Sequence, residues 1–317
     1  MDKAGADYWL YRLDGHSPCL QPAIEPPAQP HAERAEPAVL DQVYRALLST
    51  LPLSPTHRQA LRQRGLPDVA IICRGYRTMP LDGRAALARR LVDRLGADTC
   101  SKIPGLYVDA QGTRRWWTLA GAAGLLIPVR DVEGRIIALK VRADDPDDSP
   151  KYTYLSSTKH DGPSPGAQGH VPLSSGRGGE TVRLTEGELK SDISTVLSGI
   201  LTISIPGVAM WRRALPVLQS FQSKRVLLAF DADWRSNPHV AQALGQTAFA
   251  LVQAGYEVQV EDWEPTQGKG IDDLLVAGHT PMLQSVARAF GASLRGRARA
   301  WTGTLATMPA EEVPAWY

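Results

Sequence analysis

Between residues 182 and 275 the hydrophobic and polar positions repeat one pattern four times: an apolar run, a turn, then a stretch whose apolar residues recur at helical spacing. The first run, TVRLTEG, ends at Glu186 and Gly187, and Leu189, Ile193, Val196 and Leu197 mark a helix over 188–198. The third run, RVLLAFDAD, ends at Asp231 and Asp233. The last turn, QGKGIDD, carries Lys269, Asp272 and Asp273 into a short helix that Gly278 stops. Strands alternating with helices predict a parallel sheet with right-handed crossovers, and the loops at the carboxyl ends of its strands share one edge. Acids far apart in sequence are therefore expected to converge.

Upstream the pattern is different. Helical periodicity covers 39–51, a second helix runs from Ser54 or Pro55 to Arg64 with Gly65 closing it, and a third spans 82–95 with Gly96 behind it. From 124 to 155 the sequence reads as two strands joined by the turn Asp131-Val132-Glu133-Gly134, then a strand through KYTYLSS. The fold class expected is α/β, with a parallel-sheet, Rossmann-like lobe and a separate α+β lobe. The expected division is an arm over 1–37, an amino-terminal lobe over 38–178, a catalytic domain over 179–285, and a helix and tail over 286–317. Pro18, Pro22, Pro26, Pro27, Pro30 and Pro37 make the arm extended and donor-poor, which suits a flexible linker or a docking peptide.

Composition narrows this further. With 43% apolar and 21% charged residues the chain has enough apolar side chains for ordinary cores, so wholesale disorder is excluded. Cys19, Cys73 and Cys100 are odd in number and widely spaced, so they supply neither a disulfide framework nor a zinc ribbon. No apolar run approaches the ~20 residues that span a bilayer, and none has the flanks of a signal peptide, so a cytoplasmic protein without a membrane partner is expected. The net charge of +2 decides little, because a polyanion needs a basic groove and not a basic total.

Basic residues do cluster. The hairpin and its neighbour carry Arg130, Arg135, Lys140, Arg142 and Lys151, and Lys140 and Arg142, two apart, project from one face of their strand. The helix over 82–95 carries Arg84, Arg89, Arg90 and Arg94, either a solvated face or a phosphate-contacting rim. Arg295, Arg297 and Arg299 repeat that ambiguity near the carboxyl terminus. Trp116, Trp117, Trp211 and Trp263 read as core or rim packing, whereas Trp234, directly after Asp233, is the candidate for stacking on a base.

Carboxylates forced together repel one another unless a cation sits among them, and a hard-oxygen cluster suits Mg2+ or Mn2+ carrying phosphates. Asp231, Asp233 and Asp272, with Asp273 beside it, are the expected shell. Glu186 fits either a metal ligand or a general base, against the plain alternative of a carboxylate at a helix amino terminus, a role that suits Glu188 and Asp192 better. Gly187 allows a tight turn below the metal, and Lys269, flanked by glycines, is placed as a point charge for a phosphate or as a surface-loop lysine.

The glutamate-glycine pair, the Asp-x-Asp and the final acidic turn, in that order at strand ends, resemble the Toprim domain of bacterial replicative primases, type IA and II topoisomerases and overcoming-lysogenization-defect nucleases. Ile-Pro-Val-Arg-Asp, a glycine turn, a strand ending in arginine and then Pro-Lys-Tyr resemble the preceding half of the primase RNA-polymerase core. The RGL at 64–66 and CRGYR at 73–77 fit its helical lead-in more loosely, extending the resemblance over 58–278. The signature TEGELKSD, PGV, Trp211, AFDAD, Trp234 and GKGIDDLL is similar to a divergent branch found beside helicases on plasmids, phages and integrative elements.

The resemblance implies a DNA-directed RNA polymerase that joins ribonucleoside triphosphates on a single-stranded DNA template. Two Mg2+ or Mn2+ ions held by Glu186, Asp231, Asp233, Asp272 and Asp273 would clamp the reacting oxygens ~3.5–4 Å apart. Gly187, Lys269 and Lys151 would hold nucleotide phosphates, and Arg130, Lys140, Arg142, Lys151 and Trp234 the template. The family's zinc ribbon is missing, so no zinc is expected and a replicative helicase or a zinc-bearing protein becomes the implied partner. A Toprim nuclease and a non-catalytic replication accessory protein are the alternatives.

Overall fold

The computed structural model describes residues 32–146, 150–174 and 179–290. Most of the proline-rich arm, and Arg295, Arg297 and Arg299 in the tail, lie outside them. The end of the arm is held in place: Arg34 Nη2 donates to the Ile137 carbonyl at 2.6 Å, and Pro37 is the first residue of a helix. The reading of 1–37 as flexible is thereby corrected for 32–37.

The described residues open with three helices, α1 (Pro37–Thr50), α2 (Pro55–Gln63) and α3 (Asp68–Arg74). The Ser54 side chain caps α2 by accepting from the His57 amide at 3.1 Å, and Pro55 occupies its first turn, where a missing donor costs nothing. After β1 (Arg77–Met79) come α4 (Arg84–Leu95) and the short α5 (Ala97–Ser101). A hairpin of β2 (Leu106–Gln111) and β3 (Arg114–Leu119), absent from the sequence expectation, packs against α4. Its strands are solvent-washed along half their length, so no period-two apolar stripe announces them.

β4 (Gly124–Arg130), β5 (Ile136–Ala143) and β6 (Tyr152–Tyr154) then pair antiparallel as expected, and β1 joins β4 to give the order β1-β4-β5-β6. Leu40, Tyr44 and Leu47 of α1 pack on Leu139 and Val141 of β5 in one core.

The second sheet holds β7 (Thr181–Glu186), β8 (Thr202–Ile205), β9 (Arg225–Leu228), β10 (Glu257–Asp262) and β11 (Met282–Ser285), in the order β11-β10-β9-β7-β8. All neighbouring strands run parallel except β11 on β10, at one edge. Helices α6 (Glu188–Ser198), α7 (Ala214–Gln219) and α8 (Pro238–Gln253) form the crossovers, α9 (Ile271–Val276) leads into the antiparallel β11, and α6 matches the expected helix residue for residue. Val182 and Leu184 of β7, Val226 and Leu228 of β9, and Val258 and Val260 of β10 form an apolar core face, while Arg183, Thr185 and Glu261 on these strands are buried as well, as a sheet covered on both sides requires.

A further core joins the two sheets. Leu61 of α2, Ile71 of α3, Tyr76, and Leu125 and Ile127 of β4 pack against Leu189 and Ile193 of α6. One face of α6 thus belongs to the antiparallel half of the molecule.

Candidate active site at the carboxyl edge of the parallel sheet

Glu186 is the last residue of β7, and Gly187 turns the chain into α6 with φ 90°, a conformation that a Cβ disfavours. Just past the end of the neighbouring strand β9, the Ala229 amide donates to the Leu184 carbonyl and Thr185 Oγ1 donates to the Ala229 carbonyl at 2.7 Å, so the loop after β9 is tied to the end of β7. The Ala232 amide donates to the Lys269 carbonyl at 2.9 Å, fastening that loop to the turn before α9. Trp263 Nε1 fixes the same turn by donating to the Gly268 carbonyl at 2.9 Å. These bonds bring Glu186, Asp231, Lys269 and Asp272 to one edge.

The electrostatics agree with that convergence. Burial raises the pKa of Glu186 above its ordinary value; the charge of Lys190 opposes the shift, that of Asp231 reinforces it, and Lys140 and Lys269 act as Lys190 does. Lys190 Nζ donates to Asp231 Oδ1, and Lys269 Nζ stands 3.8 Å from Asp231 Oδ2. Asp272 is 2% exposed; its Oδ2 accepts from Arg64 Nη2 at 2.5 Å, and its Oδ1 has no partner. Asp233 Oδ1 is likewise buried without a partner. Asp273 Oδ2 accepts from the Gly270 amide at 3.2 Å, closing the first turn of its own helix.

Among the described residues, no three carboxylate, imidazole or thiolate groups stand close enough together to hold one ion with the side chains as they lie. The donor chemistry nonetheless fits a hard divalent cation: oxygens only, with the buried Asp272 Oδ1 unpartnered and with a Glu186 carboxyl that burial penalises for being charged. Glu186, Asp231 and Asp272 are the residues placed to hold it.

Several expected template contacts have other partners. Arg130 is 3% exposed and donates to the carbonyls of Gly134 at 3.1 Å and Arg74 at 2.9 Å, which removes it from any phosphate. Lys140, 8% exposed, binds both oxygens of Glu188 at 2.8 Å and lies 4.7 Å from the Tyr154 ring, so it bridges to α6 and does not grip DNA. Trp234 is in the core, its Nε1 donating to Asp262 Oδ1 at 3.3 Å and its ring tilted against Phe290, and offers no stacking face. Arg142 is half-buried, whereas Lys151 and Lys269 are exposed.

Sequence reasoning missed four residues. Glu188 and Asp192, read as helix-end carboxylates, are buried cross-links from α6 to the antiparallel half: Glu188 to Lys140, Asp192 to Arg74 Nε at 2.7 Å and to the Tyr76 hydroxyl, with His170 Nε2 3.5 Å away. Lys190 and Arg64 are the other two. No local pattern marks Lys190, because Glu186 ends β7 and lies outside the helix that carries the lysine.

Burial alone would raise the Asp192 carboxyl, but His170, Arg74 and Tyr76 together hold it below the ordinary carboxylate range. A depressed folded pKa contributes stability that is fully present above the unfolded value, about 4, and is lost as pH falls through the folded value. Asp192→Asn is expected to be less stable at neutral pH and to have a shallower decline of Tm below about pH 4 than the unaltered chain. Thermal melts at pH 7 and across the acid range read both, and parallel acid limbs would contradict the assignment.

Three comparisons place this architecture among known proteins. Residues 179–281 match the family described as Domain of unknown function (DUF3854). No curated protein sequence matches the chain. Among solved structures, the Aquifex aeolicus primase comprising zinc-binding and RNA polymerase domains is 15% identical, with a TM-score of 0.60 over 87% of this chain and 70% of that one. The E. coli primase catalytic core is 19% identical, with a TM-score of 0.59 over 85% and 90% of the two chains. A DnaG primase catalytic domain bound to single-stranded DNA is 18% identical, with a TM-score of 0.58 over 84% and 89%.

Proposed function

We propose that this chain, which has the fold of bacterial primase catalytic cores, is a Toprim-type nucleotidyltransferase that makes RNA primers on single-stranded DNA. The observation that carries the reading is the convergence of Glu186, Asp231 and Asp272 at one sheet edge, with Lys190, Lys269 and Arg64 beside them. Phosphoryl transfer asks a protein for positioning and charge neutralisation, and acids for a cation beside bases for phosphates supply both. A bound Mg2+ or Mn2+ would neutralise charge developing on the transferring phosphoryl group and make the attacking hydroxyl easier to ionise.

In this reading the lobe of 38–178 presents the template to the catalytic domain of 179–285. Lys269, 75% exposed, and Lys151 are free to meet phosphates of the nucleotide and template. Glu186 is the group best suited to receive a proton from a primer 3′-hydroxyl, because burial has already raised its affinity for one. The likeness to a primase domain bound to single-stranded DNA supports the choice of template. Work in the cytoplasm beside a helicase or a zinc-bearing protein, for a plasmid, phage or integrative element, belongs to the same proposal and rests on the sequence signature.

Purified protein given single-stranded DNA, labelled ribonucleotides and Mn2+ is expected to yield extended RNA products. Shortened DNA would identify a nuclease built on the same edge, and binding with neither product would identify an accessory protein.

A further inference from the structure

The cation that the sheet edge calls for is in part already there. Lys190 sits in the first turn of α6 with its side chain 18% exposed, and its Nζ donates to Asp231 Oδ1. The same Nζ lies 3.0 Å from the point where a Cβ on Gly270 would stand, and that point is 2.6 Å from Asp272 Oδ1. Asp272 Oδ1 is buried, has no partner, and so faces the space that the ammonium borders. Gly270 itself has extended backbone, φ −107° and ψ 166°, open to any residue; what the glycine provides is room for these two groups.

The ammonium is held where it is. On either side of Lys190, Glu188 and Asp192 anchor α6 through buried pairs with Lys140 and Arg74, so the helix cannot turn to withdraw it. Glu186, Asp231 and Asp272 bring three negative charges; Lys190 answers one, Arg64 another, and Lys269, 75% exposed and 3.8 Å from Asp231, part of the third. A first divalent ion already exceeds the remaining charge. A second, at the ~3.5–4 Å spacing of a two-metal site, would be driven against the ammonium inside a poorly solvated edge.

Resting on the metal-site reading above, we propose that Lys190 is the resident cation of this site: its ammonium holds one of the two cation positions, and the site takes one divalent ion instead of two. Lys190 is then a positioning residue, fixing Asp231 and setting metal stoichiometry.

The test is a titration of the full chain with Mn2+ alone, counting free ion by electron paramagnetic resonance. The unaltered protein and Lys190→Arg, which keeps the charge, are expected to bind one ion per chain. Lys190→Met and Lys190→Gln, which remove it, are expected to bind two, and having both neutral variants guards against one failing to fold, as checked by circular dichroism. Two ions on the unaltered protein, or one on every folded neutral variant, would overturn the proposal while leaving the metal site standing. No bound Mn2+ on the unaltered protein would overturn both.

Discussion

If the proposed function holds, Asp231→Asn is expected to lose ribonucleotide incorporation by roughly 10²–10³-fold or more, while its affinity for single-stranded DNA is expected to stay within about twofold of the unaltered chain. The substitution keeps size and hydrogen bonding but removes one of the three charges that make the edge a cation site. It also weakens the hold on Lys190, whose Nζ is bound to Asp231 Oδ1 and would meet a neutral amide oxygen in place of a carboxylate. The ammonium is then expected to be drawn toward the unpartnered and still charged Asp272 Oδ1, in the space a divalent ion would need. In the proposed reading DNA affinity rests on exposed cations such as Lys151, which the substitution does not touch. Extension assays at saturating Mn2+, paired with fluorescence anisotropy on labelled DNA, separate the two quantities. Wild-type incorporation by the variant would place the chemistry elsewhere.

The largest effect on stability is expected at Glu261. Arg183 on β7 and Glu261 on β10 face each other across β9, both 2% exposed, with Nε to Oε2 at 2.6 Å and Nη2 to Oε1 at 2.9 Å. Arg183 Nη1 is further satisfied by Ser198 Oγ at 2.7 Å and Thr202 Oγ1 at 3.2 Å. Such a pair recovers its desolvation cost only while both partners are present, so truncating one strands a buried charge at a cost of about 3–5 kcal/mol. Against a typical net stability of about 5–15 kcal/mol, Glu261→Ala brings the protein close to unfolding. Replacing both partners, as in Arg183→Met with Glu261→Leu, removes the unpaired charge and should recover most of the loss. Urea denaturation reads this as a fall in midpoint at unchanged slope, reversed in the double variant. A single variant within 1 kcal/mol of the unaltered chain would show that the guanidinium finds water or another acceptor.

The same contrast between local pattern and tertiary partner separates what the sequence determined from what it could not. The strand-helix repeats were legible because each strand carries Val, Leu or Ile at every second position or in a short run between turn residues, and α6, whose apolar residues recur at helical spacing, runs over Glu188–Ser198 as its pattern predicts. Topology then followed from chain geometry, since parallel strands with crossovers leave their carboxyl-end loops on one edge, and this brought Glu186, Asp231 and Asp272 together before any contact was known. Alternation along β5 placed Lys140 and Arg142 on one face, but it could not say that Glu188 of α6 would lie against that face and claim Lys140. The fates of Arg130 and Trp234 were hidden for the same reason, because a long polar or aromatic side chain is equally at home in a groove or in a core that offers it a carbonyl or a carboxylate. Arg64, in the residue just past α2, reaches Asp272 across 208 positions of sequence. Periodicity fixes which way a side chain points, whereas its partner is set by how elements pack, and here the buried pairs between α6 and the antiparallel half decide which charges remain free for a ligand.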